Sequence, residues 1–269
     1  MEKSLISLIF RRNRWKRLLI MFLICLCIIT TNNAWTEEST FDTALIIGQS
    51  YISSNGLPVM PSSVQDAQAM EQMLYSMDRN SCNITIRMDL TAEEIRKTVK
   101  ETFEQAQEGS LCLLYYAGHG YASENPVERG ALVGTDGEIL PLGELCSILF
   151  ETKKQAVVIM DSCYSGSILL QLAEMEKESK EELGIYALCA AGPYDQAESM
   201  TDNDNSYGSF TKCLVLGCDP ELLPADRNDD KAISLSEAYY YIKNHVRDST
   251  ISPVIYPDHS DVVLWGRKQ

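Results

Sequence analysis

The sequence predicts an α/β fold in which a parallel sheet is covered by helices on both faces. Three observations carry that prediction. Apolar, β-branched runs alternate along the chain with stretches of helical periodicity, the pattern that builds parallel sheets. Two of the runs, 111–117 (LCLLYYA) and 156–160 (AVVIM), carry no charge, as strands buried on both faces require. Both runs stop abruptly in small and polar residues, Gly118-His119-Gly120 and Asp161-Ser162-Cys163-Tyr164-Ser165-Gly166, which mark tight exits from a sheet.

The elements follow in order. Residues 1–34 read as a leader and 35–42 as a short polar linker, leaving 43–269 as one domain. In the leader, Arg11, Arg12, Arg14, Lys16 and Arg17 precede an uncharged apolar run of twelve residues, 18–29. That run is short of the roughly 20 residues a spanning helix needs and fits the core of a signal peptide. Ala34 could close a cleavage site, but Asn32 is not small, so an uncleaved N-terminal anchor stays open. Either way the segment would engage a membrane or the export machinery, and the body would be secreted or anchored.

In the body, 43–48 (TALIIG) reads as the first strand, followed by a Ser/Asn/Gly/Pro-rich loop and a helix over 63–77. Its apolar stripe of Val64, Ala67, Met70, Met73, Leu74 and Met77 is assigned to core packing. A strand over 84–90 follows. Thr91 with Glu94 three residues on forms a capping box for a helix whose buried face is Ile95, Val99 and Phe103. After the strand that ends at His119 come a short strand pair over 131–139 and a helix over 142–150. The strand ending at Cys163 leads to a charged helix over 169–183, a strand over 185–190 and an acidic loop over 192–209. Helices over 210–216 and 236–246 and a last strand over 262–265 complete the prediction.

Charge narrows the function. The chain of 269 residues has a net charge of −15, but the leader carries six Lys/Arg against one acid and the body 17 against 37. A body at −20 lacks the basic footprint of a nucleic-acid binder and suits cationic partners. Seven of the nine cysteines lie beyond the leader, an odd number without paired spacing, so neither a disulfide framework nor a zinc site is signalled.

In open α/β sheets, sites form beyond the carboxyl ends of the strands. His119 and Cys163 both stand there, on what would be consecutive strands, so 44 positions of sequence do not keep them apart. A thiol is only a few per cent thiolate near neutrality, and an imidazole beside it takes the proton. The backbone N–H groups of Cys163 and Gly120 are candidate donors to the oxyanion formed on attack. Buried structural cysteines and histidines are commoner than catalytic ones; the shared placement at glycine-framed strand ends favours catalysis.

The segments YYAGHG (115–120) and DSCYSG (161–166) resemble the paired motifs of the caspase-like cysteine peptidases, nearest their metacaspase and bacterial branch. The resemblance spans about 43–265. It implies a caspase-like three-layer sandwich with a mostly parallel six-stranded sheet, a His119/Cys163 dyad and hydrolysis of peptide bonds in a polypeptide substrate. Asp161-Ser162 stand where animal caspases have Gln-Ala, so strict specificity for Asp is not implied. In the metacaspase-like branch an Asp two positions before the nucleophile helps line a pocket for a basic residue, which maps onto Asp161. Asp66, in Val64-Gln65-Asp66-Ala67, is similar to a second pocket Asp of those relatives. Two carboxylates in a cleft favour an Arg or Lys guest; Asp66 could equally complement the dipole of its own helix.

No cofactor is required by such a dyad, but calcium is a possible addition. Asp226, Asn228, Asp230, Ser234 and Glu237 fall at positions 1, 3, 5, 9 and 12 of an EF-hand loop. Lys231 stands at position 6, where that loop needs glycine, and a polar turn capping the next helix at Ser234 or Ser236 explains the same residues. The rival to a peptidase acting after Arg or Lys is a non-catalytic interaction or calcium-sensing module on the same fold.

Overall fold

The computed structural model describes residues 41–54, 56–77, 82–123, 130–179, 182–197, 208–247 and 250–266. The leader over 1–34 lies outside the described residues, and among those described no helix is long and apolar enough to cross a membrane.

Strands β1 (Thr43–Gly48) and β3 (Leu111–Ala117) form at the predicted bounds. Helix α1 (Pro61–Met77) begins two residues before its apolar stripe suggests, because proline suits the first helical turn. Strand β2 (Asn83–Met88) leads to α2 (Ala92–Glu104), whose N-terminus closes with the predicted box. Thr91 Oγ1 accepts from the Glu94 N–H at 3.2 Å, and the Glu94 carboxylate accepts from the Thr91 N–H at 2.9 Å. Such a box satisfies two orphan donors at once. Beyond β3, the predicted strand pair is a three-stranded antiparallel sheet of β4 (Gly120–Tyr121), β5 (Ala131–Val133) and β6 (Ile139–Pro141). Then come α3 (Leu142–Glu151), β7 (Gln155–Asp161), α4 (Ser167–Ser179) and β8 (Ile185–Cys189). The chain continues with α5 (Ser209–Gly217), β9 (Ala232–Ser234), α6 (Leu235–His245), β10 (Val254–Tyr256) and β11 (Val263–Gly266).

The main sheet has six strands in the order β10-β8-β7-β3-β1-β2, all parallel except antiparallel β10. This is the expected mostly parallel six-stranded sheet with one correction. The strand predicted over 262–265 exists as β11 but pairs with β9 in a separate two-stranded sheet. The sixth place belongs to β10, a three-residue strand hydrogen-bonded to β8.

Alternation along the strands sorts the core into two layers. Ala44, Ile46, Leu113, Tyr115, Val157 and Ile159 face one side, packed with Met70 and Leu74 of α1, Phe210 and Leu214 of α5 and Ile242 of α6. Leu45, Ile47, Leu114, Tyr116, Val158 and Met160 face the other, against Ile95 and Phe103 of α2, Leu145 and Leu149 of α3 and Leu172 of α4. The methionine stripe of α1 is core, as assigned. Of the seven cysteines beyond the leader, Cys112, Cys146, Cys189 and Cys218 are buried, and Cys82, Cys163 and Cys213 are partly exposed.

Candidate active site

The register of β3 and β7 builds the site. Every paired position differs by the same 44 residues, from Leu111 with Gln155 to Ala117 with Asp161. His119 and Cys163 therefore stand two residues beyond a common last pair. A hydrogen bond from the Gly118 N–H to the Asp161 carbonyl, at 3.3 Å, ties the two exits together. Gly120 lies so close to the Cys163 backbone that a Cβ there would sit 1.9 Å from the Cys163 carbonyl oxygen, so only glycine fits. The Val133 N–H donates to the His119 carbonyl, and alternation along an antiparallel pair then turns the Gly120 N–H away from β5.

His119 is held by groups that the sequence did not single out. Its backbone N–H donates to Tyr51 Oη at 2.9 Å, its carbonyl accepts from Tyr116 Oη at 2.9 Å, and Tyr51 Oη donates to the Val133 carbonyl at 2.8 Å. The Tyr51 ring lies 4.5 Å from the imidazole, centroid to centroid. Burial pushes the Tyr51 phenol up to about 12, so it stays protonated and keeps donating. Nothing local marks Tyr51 in its polar loop; only folding brings the loop under His119. Tyr51→Phe is expected to lower stability by about 1–3 kcal/mol, since it orphans the His119 N–H and removes one of the two phenol donors to the Val133 carbonyl, the other being Tyr116 Oη at 3.2 Å. Urea unfolding checks it, and an unchanged midpoint would refute the clamp.

The imidazole Nε2 lies 2.7 Å from the Pro58 carbonyl, which can only accept, so Nε2 carries the proton and Nδ1 is left as the base in the neutral ring. The Cys163 thiol donates to the Ala197 carbonyl at 3.4 Å. Tyr164, next in sequence, has φ +56°, in the left-handed region, and its N–H donates to the Asp195 carbonyl at 2.8 Å. Cys163 thus sits on a turn held by the segment that also covers its thiol.

His119, Cys163, Asp66 and Asp161 line one cavity with Ser62, Ser162 and Ala197. Its free volume is about 20 Å³, room for roughly one water. Asp66 is not in the first turn of α1, so complementing its own helix dipole does not explain it. It caps another helix instead. Its Oδ1 accepts from the N–H of Gly208, the N-cap of α5, at 2.7 Å, and Asp161 Oδ2 accepts from the N–H and Oγ1 of Thr211 in the first turn of α5, at 3.3 and 2.7 Å. Burial, with the nearby Asp161 charge, drives the Asp66 carboxyl up to about 8, and burial raises Asp161 as well.

The loop matched to calcium closes on its own backbone. Asp226 Oδ1 and Oδ2 accept from the N–H groups of Asp229 and Lys231, Asn228 Oδ1 from Asp230, and Asp230 Oδ1 from Ala232. Glu237 closes a capping box with Ser234 at the start of α6 and also accepts from the Arg227 N–H. No three His, Cys, Asp or Glu gather to hold a metal among the described residues. The polar turn capped at Ser234 is the reading that the structure supports. Lys231 nonetheless adopts φ +69°, the conformation that position 6 demands. Lys231→Gly is expected to raise stability by up to about 1 kcal/mol through relief of that strain; a lower melting temperature would refute it.

A thiol and an imidazole at adjoining exits of a parallel α/β sandwich define a fold of the caspase-like peptidase type. The chain belongs to the caspase domain family, whose sequence model matches residues 42–220. Among solved structures, caspase-1 of Spodoptera frugiperda is similar at 15% identity and a TM-score of 0.60, over 87% of this chain and 94% of its own. A protein of Geobacter sulfurreducens is similar at 16% identity and a TM-score of 0.57, over 80% and 92%. At such identities the likeness is one of fold. No curated protein sequence matches the chain.

Proposed function

We propose that the protein is a cysteine endopeptidase that cleaves after Arg or Lys, with Cys163 as nucleophile and His119 as general base and then acid. The observation that carries this reading is the common cavity of His119, Cys163, Asp66 and Asp161 beyond the last pair of β3 and β7. The imidazole takes the thiol proton, and sulfur attacks the scissile carbonyl carbon. The carbonyl π pair moves to oxygen, where the N–H groups of Gly120 and Cys163 are the candidate donors. Collapse expels the amine, which leaves with the proton held by His119, and a thioester remains on Cys163. Water, deprotonated by the same imidazole, then hydrolyses the thioester and restores the thiol. The Pro58 carbonyl fixes the tautomer that this sequence needs.

The basic side chain would enter between Asp66 and Asp161. The space there is too small for a guest, so the 192–197 segment must withdraw and release the thiol from the Ala197 carbonyl before substrate binds. That same contact favours a second reading, a caspase-fold module that binds without cleaving. Fluorogenic peptides with Arg, Lys or Asp at the cleaved position separate the two. Turnover of the basic peptides supports the peptidase, and silence on all three supports the module. For location, the leader supports an exported or membrane-anchored domain, and N-terminal sequencing of protein from its host reports whether 1–34 is removed.

A further inference from the structure

Beyond the last pairs of the sheet, hydrogen bonds continue sideways from β2 through β1 to β3. The Asp89 N–H donates to the Gly48 carbonyl and the Gln49 N–H to the Ala117 carbonyl, each at 3.0 Å. Side chains then take over. Asp89 Oδ1 accepts from the N–H groups of Ser50 and Tyr51 at 2.6 and 3.3 Å, and Asp89 Oδ2 accepts from Ser50 Oγ at 2.8 Å. Asp89 is exposed, follows β2 directly and is not among the residues lining the cavity of His119 and Cys163.

What Asp89 holds is the segment that supports the imidazole. Tyr51 has φ +58°, in the left-handed region that a bulky residue keeps only where its surroundings enforce it. From there its Oη meets the His119 N–H and its ring lies against the imidazole. The Ser50 carbonyl accepts from the Met60 N–H at 2.8 Å, two residues past Pro58, whose own carbonyl faces Nε2. Ser50 thus ties both imidazole contacts, the Tyr51 ring and the Pro58 carbonyl, to one carboxyl group. We propose that Asp89 is a positioning residue for His119, acting through Ser50 and Tyr51 from two strands away. The inference rests on the reading of His119 as the base for Cys163. Misplacing a reacting group by about 1 Å costs on the order of 10²-fold in rate, so a strut outside the cavity can matter to chemistry inside it.

The test compares the full chain with Asp89→Ala and Asp89→Asn. On the Arg peptide, kcat should fall about 10²-fold in Asp89→Ala with KM nearly unchanged. Asp89→Asn keeps an oxygen for the two N–H groups and should restore most of the loss. Ser50→Ala removes the hydroxyl contact alone; it should fall in the same direction by less, and it serves should Asp89→Ala fold poorly. A second readout is alkylation of Cys163 by iodoacetamide, followed by mass spectrometry of the peptide that carries it, since the rate tracks the thiolate that an adjacent imidazole sustains. Asp89→Ala should slow alkylation in the wild type and add nothing in the His119→Ala background, because an effect carried by the imidazole disappears with it. Unchanged kcat in Asp89→Ala, a rise in KM alone, or slowing as large without the imidazole as with it overturns the proposal. A wild type silent on the peptides ends the peptidase reading, and the alkylation cycle still decides for or against Asp89.

Discussion

Cys163→Ala is expected to lose turnover of Arg and Lys peptides by more than about 10⁴-fold, the scale on which a nucleophile acting as a unit with its base fails. His119→Ala should fall as far. The informative variant is the double one. Because thiol and imidazole act on a single proton, removing both should cost no more than removing either, a non-additivity that independent sites do not show. Melting curves should change little for Cys163→Ala, since the thiol's contact with the Ala197 carbonyl is long and weak. Retained turnover in Cys163→Ala would end the peptidase reading; additive losses would break the dyad into unrelated residues.

The second large effect lies in the acid pair. Asp66 ionises near 8 in the folded protein against 3.8 for an unperturbed aspartate, driven by burial and by Asp161. A folded value above the unfolded one means that the folded state holds its proton longer. The resulting stability is fully present below about pH 4 and drains away as pH climbs toward and through 8. Each tenfold gain in proton affinity is worth about 1.4 kcal/mol, so several kcal/mol are at stake. Asp66→Asn, which keeps an oxygen for the Gly208 N–H, should therefore melt higher than the wild type at pH 8–9 and much like it near pH 4. Substrate reverses the sign. An arginine guest favours both carboxylates ionised, so KM for the Arg peptide should fall as pH rises toward 8 in the wild type. That dependence should vanish in Asp66→Asn, with kcat/KM lower by roughly 10²–10³-fold, the cost of breaking a buried pair. A variant with unaltered Arg kinetics would remove Asp66 from the pocket and leave it a cap for α5.

Much of this was legible in the residues. The charge-free runs ending at His119 and Cys163 announced buried strands, and both formed with those two residues just outside. The box of Thr91 and Glu94 was readable because its partners are three residues apart and need no tertiary contact. Where distant chain had to meet, pattern failed. Val254–Tyr256 is three residues between Pro253 and Pro257 and becomes a strand because β8 offers an open edge. The spacing of Asp226 to Glu237 matched a calcium loop and a polar turn equally well, and only the fold showed its oxygens accepting from backbone N–H groups. Tyr51, Pro58 and Ala197 lie in loops whose composition says only that they turn.

By itself the sequence determined the layered α/β plan and singled out His119 and Cys163 as the residues most able to do covalent chemistry, because hydrophobic period and strand-end composition are local properties; the caspase family followed from the likeness of two motifs. Only the tertiary structure decided which imidazole nitrogen carries the proton, what covers the thiol, that Asp66 and Asp161 share a cavity and that Ser162 hides a hydroxyl unmatched among the described residues. Those properties depend on which groups lose water beside which partners, and desolvation is settled by packing between segments that one-dimensional spacing does not record.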